Sequence, residues 1–265
     1  MSDTTFARFR AIPSKPGQVA SLRLNHPALR DARSIFPKTV ATADAKNLLI
    51  SGHNNRKIGR DVRKGAWSGM PIFTLSLQER ATCPRSCPTW VDCYGNAMPF
   101  AQRADHTDPQ FLLRLADELR YHNWTKQNGF VVRLHVLGDF YSAKYVRFWS
   151  GALRELSGLH VFGYTANLPD AQDPGERKIG EAVHALNAAF PDRCAIRFSA
   201  SDPAPMGAVV VDADPESPDV IVCPAETEKT MGCGTCGLCW APQAQNKAIA
   251  FLRHGMSRGR RRASA

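Results

Sequence analysis

The chain contains no apolar run approaching the ~18–20 residues that a membrane-crossing helix needs. Residues 1–13 mix polar and charged side chains and lack the apolar centre of a secretory signal. The expectation is a cytoplasmic protein with no membrane partner, where thiols stay reduced. No G-x-G-x-x-G and no P-loop follows an apolar strand, so the usual marks of dinucleotide and nucleotide binding are missing. Nor is there an H-E-x-x-H, a deaminase-type H-x-E with P-C-x-x-C, or a Ser-His-Asp order, which sets those hydrolytic chemistries aside. Internal repeats and long low-complexity segments are also lacking.

What is present begins with an uneven charge. The net charge is +10 over 265 residues, of which 43% are hydrophobic and 22% charged. This is enough chain to bury a core without covalent staples. Residues 1–70 hold 13 Lys/Arg against 4 Asp/Glu, and residues 251–265 hold 5 against none. Residues 71–250 hold 16 against 20. Arg56, Lys57, Arg60, Arg63 and Lys64 crowd residues 53–69, and Arg258, Arg260, Arg261 and Arg262 form a terminal cluster. Such ends either neutralise the phosphates of a nucleic acid or lie solvated. Only Trp67 falls inside the first basic segment, so base stacking has little to stand on. The expected organisation is a basic N-terminal arm packed on the domain (1–69), a main domain (70–255) and a basic disordered tail (256–265).

Within the main domain, strand and helix patterns alternate. Apolar segments at 70–77 (MPIFTLSL), 130–137 (FVVRLHVL), 159–165 (LHVFGYT), 194–199 (CAIRFS), 208–211 and 220–222 read as strands. Residues 107–124 read as a helix opened by Asp108-Pro109, and Ser142 caps a second with Tyr145, Phe148, Trp149, Leu153 and Leu156 on one face. Residues 175–190 form a third, and residues 242–254 are expected as a last helix closed by Gly255. Alternation of this kind predicts an α/β fold with a parallel sheet, here a partial or irregular (β/α) TIM-like barrel. The residues that carry chemistry, including the Cys-rich metal-binding loops, follow strand ends. That is the C-terminal face on which α/β sites are built.

Seven of the eight cysteines fall in two dense groups: Cys83, Cys87 and Cys93, then Cys223, Cys233, Cys236 and Cys239. Cys194 opens an apolar strand and reads as a packed core residue. A disulfide framework is the alternative, but dense clusters without secretory features point to metal. Two-residue gaps let successive thiolates curl around one ion or one cluster face. The C-x2-C-x2-C run at 233–239, with Cys-Pro pairs at Cys223-Pro224, Cys83-Pro84 and Cys87-Pro88, matches ferredoxin-type ligation of a 4Fe–4S cluster. A four-Cys zinc site, or a second cluster, stays open as the alternative.

The C-x3-C-x5-C group after an early strand resembles the loop of radical S-adenosylmethionine enzymes, whose spacing is C-x3-C-x2-C. That resemblance implies a 4Fe–4S cluster on three cysteines whose open iron binds S-adenosylmethionine, with Gly138-Asp139 echoing the family's glycine-rich motif. The segments TCPRSCPTWVDCYGNAM, VRLHVLGDFYS and CPAETEKTMGCGTCGLCW, with AFLRHG nearby, are similar to a family of phage and prophage proteins typified by mycobacteriophage gene product eighty-eight. This second resemblance implies a Cys-ligated cofactor and a phage setting, hence the cytoplasm of a bacterial host.

Other candidates ring the same strand ends. Asp139 presents a carboxylate to the site or caps the next helix. His135 approaches a cluster or sits hydrogen-bonded in the core. Arg197, a charge in an apolar strand, needs a buried partner, either Asp139 or an anionic ligand. Tyr164, Thr165, Asn167, Ser199 and Ser201 share that rim. The tryptophans read as core or cofactor shielding. Asp139, Tyr164 and Arg197 are the expected catalytic set, with Gly138, His135 and Ser199 as cofactor contacts. The expected function is an iron–sulfur protein, a radical or redox enzyme on a small substrate. The alternative is a metal-stabilised nucleic-acid-binding protein.

Overall fold

A computed structural model describes residues 21–55 and 57–252. Along the chain come α1 (Pro27–Arg30), β1 (Val40–Ala41), β2 (Ile50–Ser51), β3 (Ile72–Leu75), β4 (Arg103–Ala104), α2 (Phe111–Thr125) and β5 (Phe130–Leu134). They are followed by α3 (Ala143–Glu155), β6 (Leu159–Thr165), α4 (Pro174–Ala189), β7 (Cys194–Ser199), β8 (Gly207–Val211), β9 (Val220–Val222), α5 (Cys233–Cys236) and β10 (Ala248–Leu252). Eight strands form one sheet in the order β2-β3-β5-β6-β7-β8-β10-β9, while β1 and β4 pair separately. Among the described residues only β2 runs antiparallel to its neighbour, and the other pairs of the main sheet are parallel. Neighbours follow chain order from β3 to β8, as in a barrel's winding. Among the described residues no pair joins β2 to β9, so the fold is α/β with a mostly parallel sheet.

Local chemistry sets the helix ends. Ser142 Oγ accepts from Tyr145 N and starts α3, whose buried Tyr145, Val146, Trp149, Ala152 and Leu153 recur at helical spacing. Asp173 accepts from Glu176 N, and Pro174 occupies the first position of α4. Helix α2 starts later than expected. The Asp108 carboxylate accepts from both Ala43 N and Gln110 N, which spends it on a turn rather than on a cap. The expected helix at 242–254 is corrected: a single 3₁₀ turn at Pro242–Ala244 is followed by β10. Its Ala-Ile-Ala-Phe-Leu run inserts between β8 and β9, and an apolar run this short carries no period that separates strand from helix. Gly255, Arg56 and the tail at 256–265 lie outside the described residues.

The sheet buries two unlike faces. Helices α2–α4 cover one, where Phe130, Val132, Leu134, Val161 and Ile196 meet Leu115, Leu119, Trp149 and Leu186. Among the described residues no long helix lies on the other, inner face. Ile72, Val131, Phe162, Ala195 and Ile249 pack there against Ile58, Val62 and Trp67 from one end of the chain and Cys223, Cys239 and Trp240 from the other. Trp67 stacks on Trp240 at 5.2 Å, and Phe162 lies 4.5 Å from the same ring. Toward the strand C-termini this apolar layer gives way to a polar one. Strand alternation puts Thr74, Arg133, Tyr164 and Arg197 on the inner face, with Thr74 registered on Arg133 and Tyr164 on Arg197.

Candidate metal centre

The second cysteine group is built by chain segments clamped to the inner face. Cys223 leaves β9 with its N–H on Ala250 O (2.8 Å). The α5 turn docks on residues 57–63: Cys233 N donates to Lys57 O, Gly234 N to Ile58 O, and Arg63 N to Gly234 O, at 2.7–3.0 Å. Gly234 permits that docking, because a Cβ would stand 2.3 Å from Asp61 O. The result is a narrow recess lined by Cys223, Cys233, Cys236 and Cys239 together with Pro224, Trp240 and Ile249. Tyr164 Oη lies 2.9 Å from Cys239 Sγ in a hydrogen bond. Arg197, fully buried, donates to the carbonyls of Cys239, Ala244, Lys247 and Gly207 at 2.8–3.3 Å. These four carbonyls, rather than Asp139, are the partners that its burial demands. It fixes the Cys239 turn.

The first group hangs from a buried ion pair. Arg103 Nε meets Glu79 Oε2 at 2.5 Å and Nη2 meets Oε1 at 3.2 Å, with the side chains 0% and 1% exposed. The same guanidinium donates to Thr39 Oγ1, Met98 O, Ala101 O and Gly95 O, so it closes both ends of the loop. Ser34 Oγ completes Glu79 at 2.8 Å. Arg80, also buried and in the left-handed region at φ 65°, gives Nε to Trp90 O (3.0 Å) and Nη2 to Asn96 Oδ1 (2.7 Å). Its Nη1 is buried with no hydrogen-bond partner among the described residues.

Gly138 brings the end of β5 against this loop. Its φ is +81°, and a Cβ would meet Thr82 Oγ1 at 2.6 Å and Leu77 Cβ at 2.7 Å. Asp139 follows, buried, accepting from Phe140 N, Thr165 Oγ1 and Ala166 N at 2.6–2.7 Å. Burial pushes its carboxyl up to about 6, partly offset by those donors, and its charge in turn opposes ionisation of Cys83 and Cys87. His135 lies elsewhere. Strand β5 ends at Leu134, so alternation no longer governs it, and its Nε2 sits 3.0 Å from Tyr145 Oη on the helix side. Burial drives that ring down to about 3. Ser199 closes β7 half-buried. Cys194 is buried with its Sγ 3.3 Å from Asn187 Oδ1, apart from both groups.

Burial raises every clustered thiol, Cys93 to about 11 and Cys233 to about 12, so these groups are neutral unless a cation joins them. Among the described residues no three Cys, His, Asp or Glu side chains already stand in a metal-ligating arrangement. The donor chemistry nevertheless fits a thiophilic group. Four sulfurs line one recess beside Lys57, Arg133 and Arg197, and the loop that carries the other three holds the Arg80 guanidinium, with one buried N–H lacking an acceptor among the described residues. Sequence reasoning missed Glu79, Arg80, Arg103 and Arg133. Arg133 carried the same signal as Arg197, a charge inside an apolar strand; Glu79-Arg80 had only their place before the first Cys loop.

The basic segment is partly spent internally. Lys57 pairs with Glu226, while Arg60 and Arg63 pair with Asp61. Trp67 is in the core and gives Nε1 to Asp192 O. Among the described residues no helix is long and apolar enough to cross a membrane.

These features define an α/β protein with a mostly parallel sheet and two Cys-rich loops beyond its strand ends. The profile of the family described as Gene product 88 matches residues 47–242, a span that takes in all seven clustered cysteines. The chain belongs to this phage-type family. No curated protein and no solved structure matches it.

Proposed function

We propose that this chain is a 4Fe–4S cluster-binding protein whose strand C-terminal face works on a small molecule by redox or radical chemistry. The observation that carries the reading is the gathering of four cysteines around one recess, Cys223 and Cys239 buried and Cys233 and Cys236 half-buried, with cationic side chains about them. A bound cluster supplies one-electron chemistry at a potential set by its surroundings. The chain's own residues supply those surroundings. Tyr164 Oη hydrogen-bonds the Cys239 sulfur, Arg197 holds the turn that presents it, and Trp67 and Trp240 keep water from beneath. Asp139, with its carboxyl near 6, exchanges a proton close to neutral pH beside Cys83.

Anaerobic purification with iron, sulfide and zinc analysis tests the reading. Iron and acid-labile sulfide in comparable amounts, with a brown chromophore, are expected. A colourless protein holding only zinc after anaerobic reconstitution overturns it in favour of a structural four-Cys zinc site. The radical version is tested by incubating the reduced protein with S-adenosylmethionine. Release of neither methionine nor 5′-deoxyadenosine removes that version and leaves the redox one.

A further inference from the structure

Arg80 is 2% exposed, and among the described residues its Nη1 has no acceptor. Its other contacts, Nε to Trp90 O and Nη2 to Asn96 Oδ1, fix the guanidinium plane, so Nη1 cannot swing to find an acceptor. The neighbouring carboxylates are occupied. Glu79 is taken by Arg103 and Ser34, and Asp139 by Phe140, Thr165 and Ala166. The guanidinium lies within the loop that carries Cys83, Cys87 and Cys93, bonded to Trp90 between the second and third of them and to Asn96 just past the last. A buried, charged donor left without an acceptor is costly, and natural cores rarely keep one.

The two cysteine groups also have separate frames. The recess lined by Cys223, Cys233, Cys236 and Cys239 includes no cysteine of the first group. Its walls are hydrogen-bonded to residues 57–63 and to β10. The first group is held instead by Glu79–Arg103 and by the Gly138 turn against Leu77 and Thr82.

We infer that the clustered cysteines build two separate centres, and that the one at Cys83, Cys87 and Cys93 holds an anionic iron–sulfur group whose sulfur accepts the unpaired Arg80 N–H. This rests on the iron–sulfur reading above and divides the ligands that reading pools. Arg80 is a positioning residue: it meets the bound group through a hydrogen bond and supplies no bond to metal.

The test uses the full-length wild-type chain, reconstituted anaerobically with sulfide and rising ratios of ferrous iron, then alkylated and read by mass spectrometry cysteine by cysteine. Protection in two steps is expected, with Cys83, Cys87 and Cys93 in one and Cys223, Cys233, Cys236 and Cys239 in the other. All seven protected in a single step overturns the division. Protection of the second group alone, at every ratio, overturns the first centre while leaving the iron–sulfur reading intact. Protection of none defeats that underlying reading. Arg80→Lys then isolates the donor. At least tenfold more iron is expected for protection of Cys83, Cys87 and Cys93, with a midpoint potential for that centre shifted to more negative values. Unchanged protection of the second group shows that the variant is folded. An unaltered iron requirement and potential at the first centre overturn the role given to Arg80.

Discussion

Replacing Glu79 with leucine leaves Arg103 charged, buried and facing a methyl group. In the native protein that guanidinium spends two N–H groups on Glu79, at 2.5 and 3.2 Å, and the rest on Thr39 and three carbonyls. Neither side chain touches solvent appreciably, so water cannot take the carboxylate's place. Removing one partner of such a pair costs roughly 3–5 kcal/mol, and the Ser34 hydroxyl loses an acceptor worth about 1 kcal/mol more. At about 2–4 °C per kcal/mol for a chain of this size, the melting point of Glu79→Leu falls by on the order of 10 °C. Circular dichroism during urea and thermal denaturation of the reduced, metal-free protein measures this without the contribution of bound metal. Glu79→Leu/Arg103→Met removes the unpaired buried charge and recovers part of the loss, the remainder reflecting the donors taken from Thr39 and from the Gly95, Met98 and Ala101 carbonyls. A single variant within about 1 kcal/mol of wild type, or a double variant no better than the single, refutes the argument.

Three further outcomes are expected. Gly138→Ala, forced into φ +81° with its methyl 2.6 Å from Thr82 Oγ1, destabilises by roughly 2 kcal/mol or more and lowers metal retention, seen by denaturation midpoint and bound metal. Cys194→Ala leaves metal content unchanged and costs only about 1–2 kcal/mol, since its thiol packs in the helix-side core; metal loss in this variant contradicts the assignment. His135, held near 3, stays neutral in the folded chain while the unfolded chain takes up a proton below about 6.5. Stability is therefore lost as pH falls from about 6 to 4, and wild type loses about 1.4 kcal/mol per pH unit more than His135→Leu there, with parallel slopes in urea titrations counting against it.

The alternating elements were legible because each signal was local. The Ser142 cap, the helix expected over 175–190 and the β-rich run at 194–199 sit in the structure within a residue of where their patterns put them. β10 was not legible: five apolar residues fit strand or helix, and only the slot between β8 and β9 decides. At the site, spacing identified the cysteines as a set but not which of them share a recess. That division depends on docking of α5 on residues 57–63, a contact between distant parts of the chain. Arg197 was singled out as a buried charge, yet its partners are carbonyls from three separate segments, which no linear pattern announces.

The inner face has a consequence for the order in which the molecule is made. Its cover comes from both ends of the matched region, and Lys57 waits for Glu226, 169 residues downstream. A growing chain can raise β3 to β7 with helices α2–α4 against one side long before the segment that shields the other has left the ribosome. Through that interval Ile72, Val131 and Phe162 lack their final partners, a slow, high-separation closure. The recess of Cys223, Cys233, Cys236 and Cys239 closes last, so the metal group proposed for those thiols would join the chain as the core is completed.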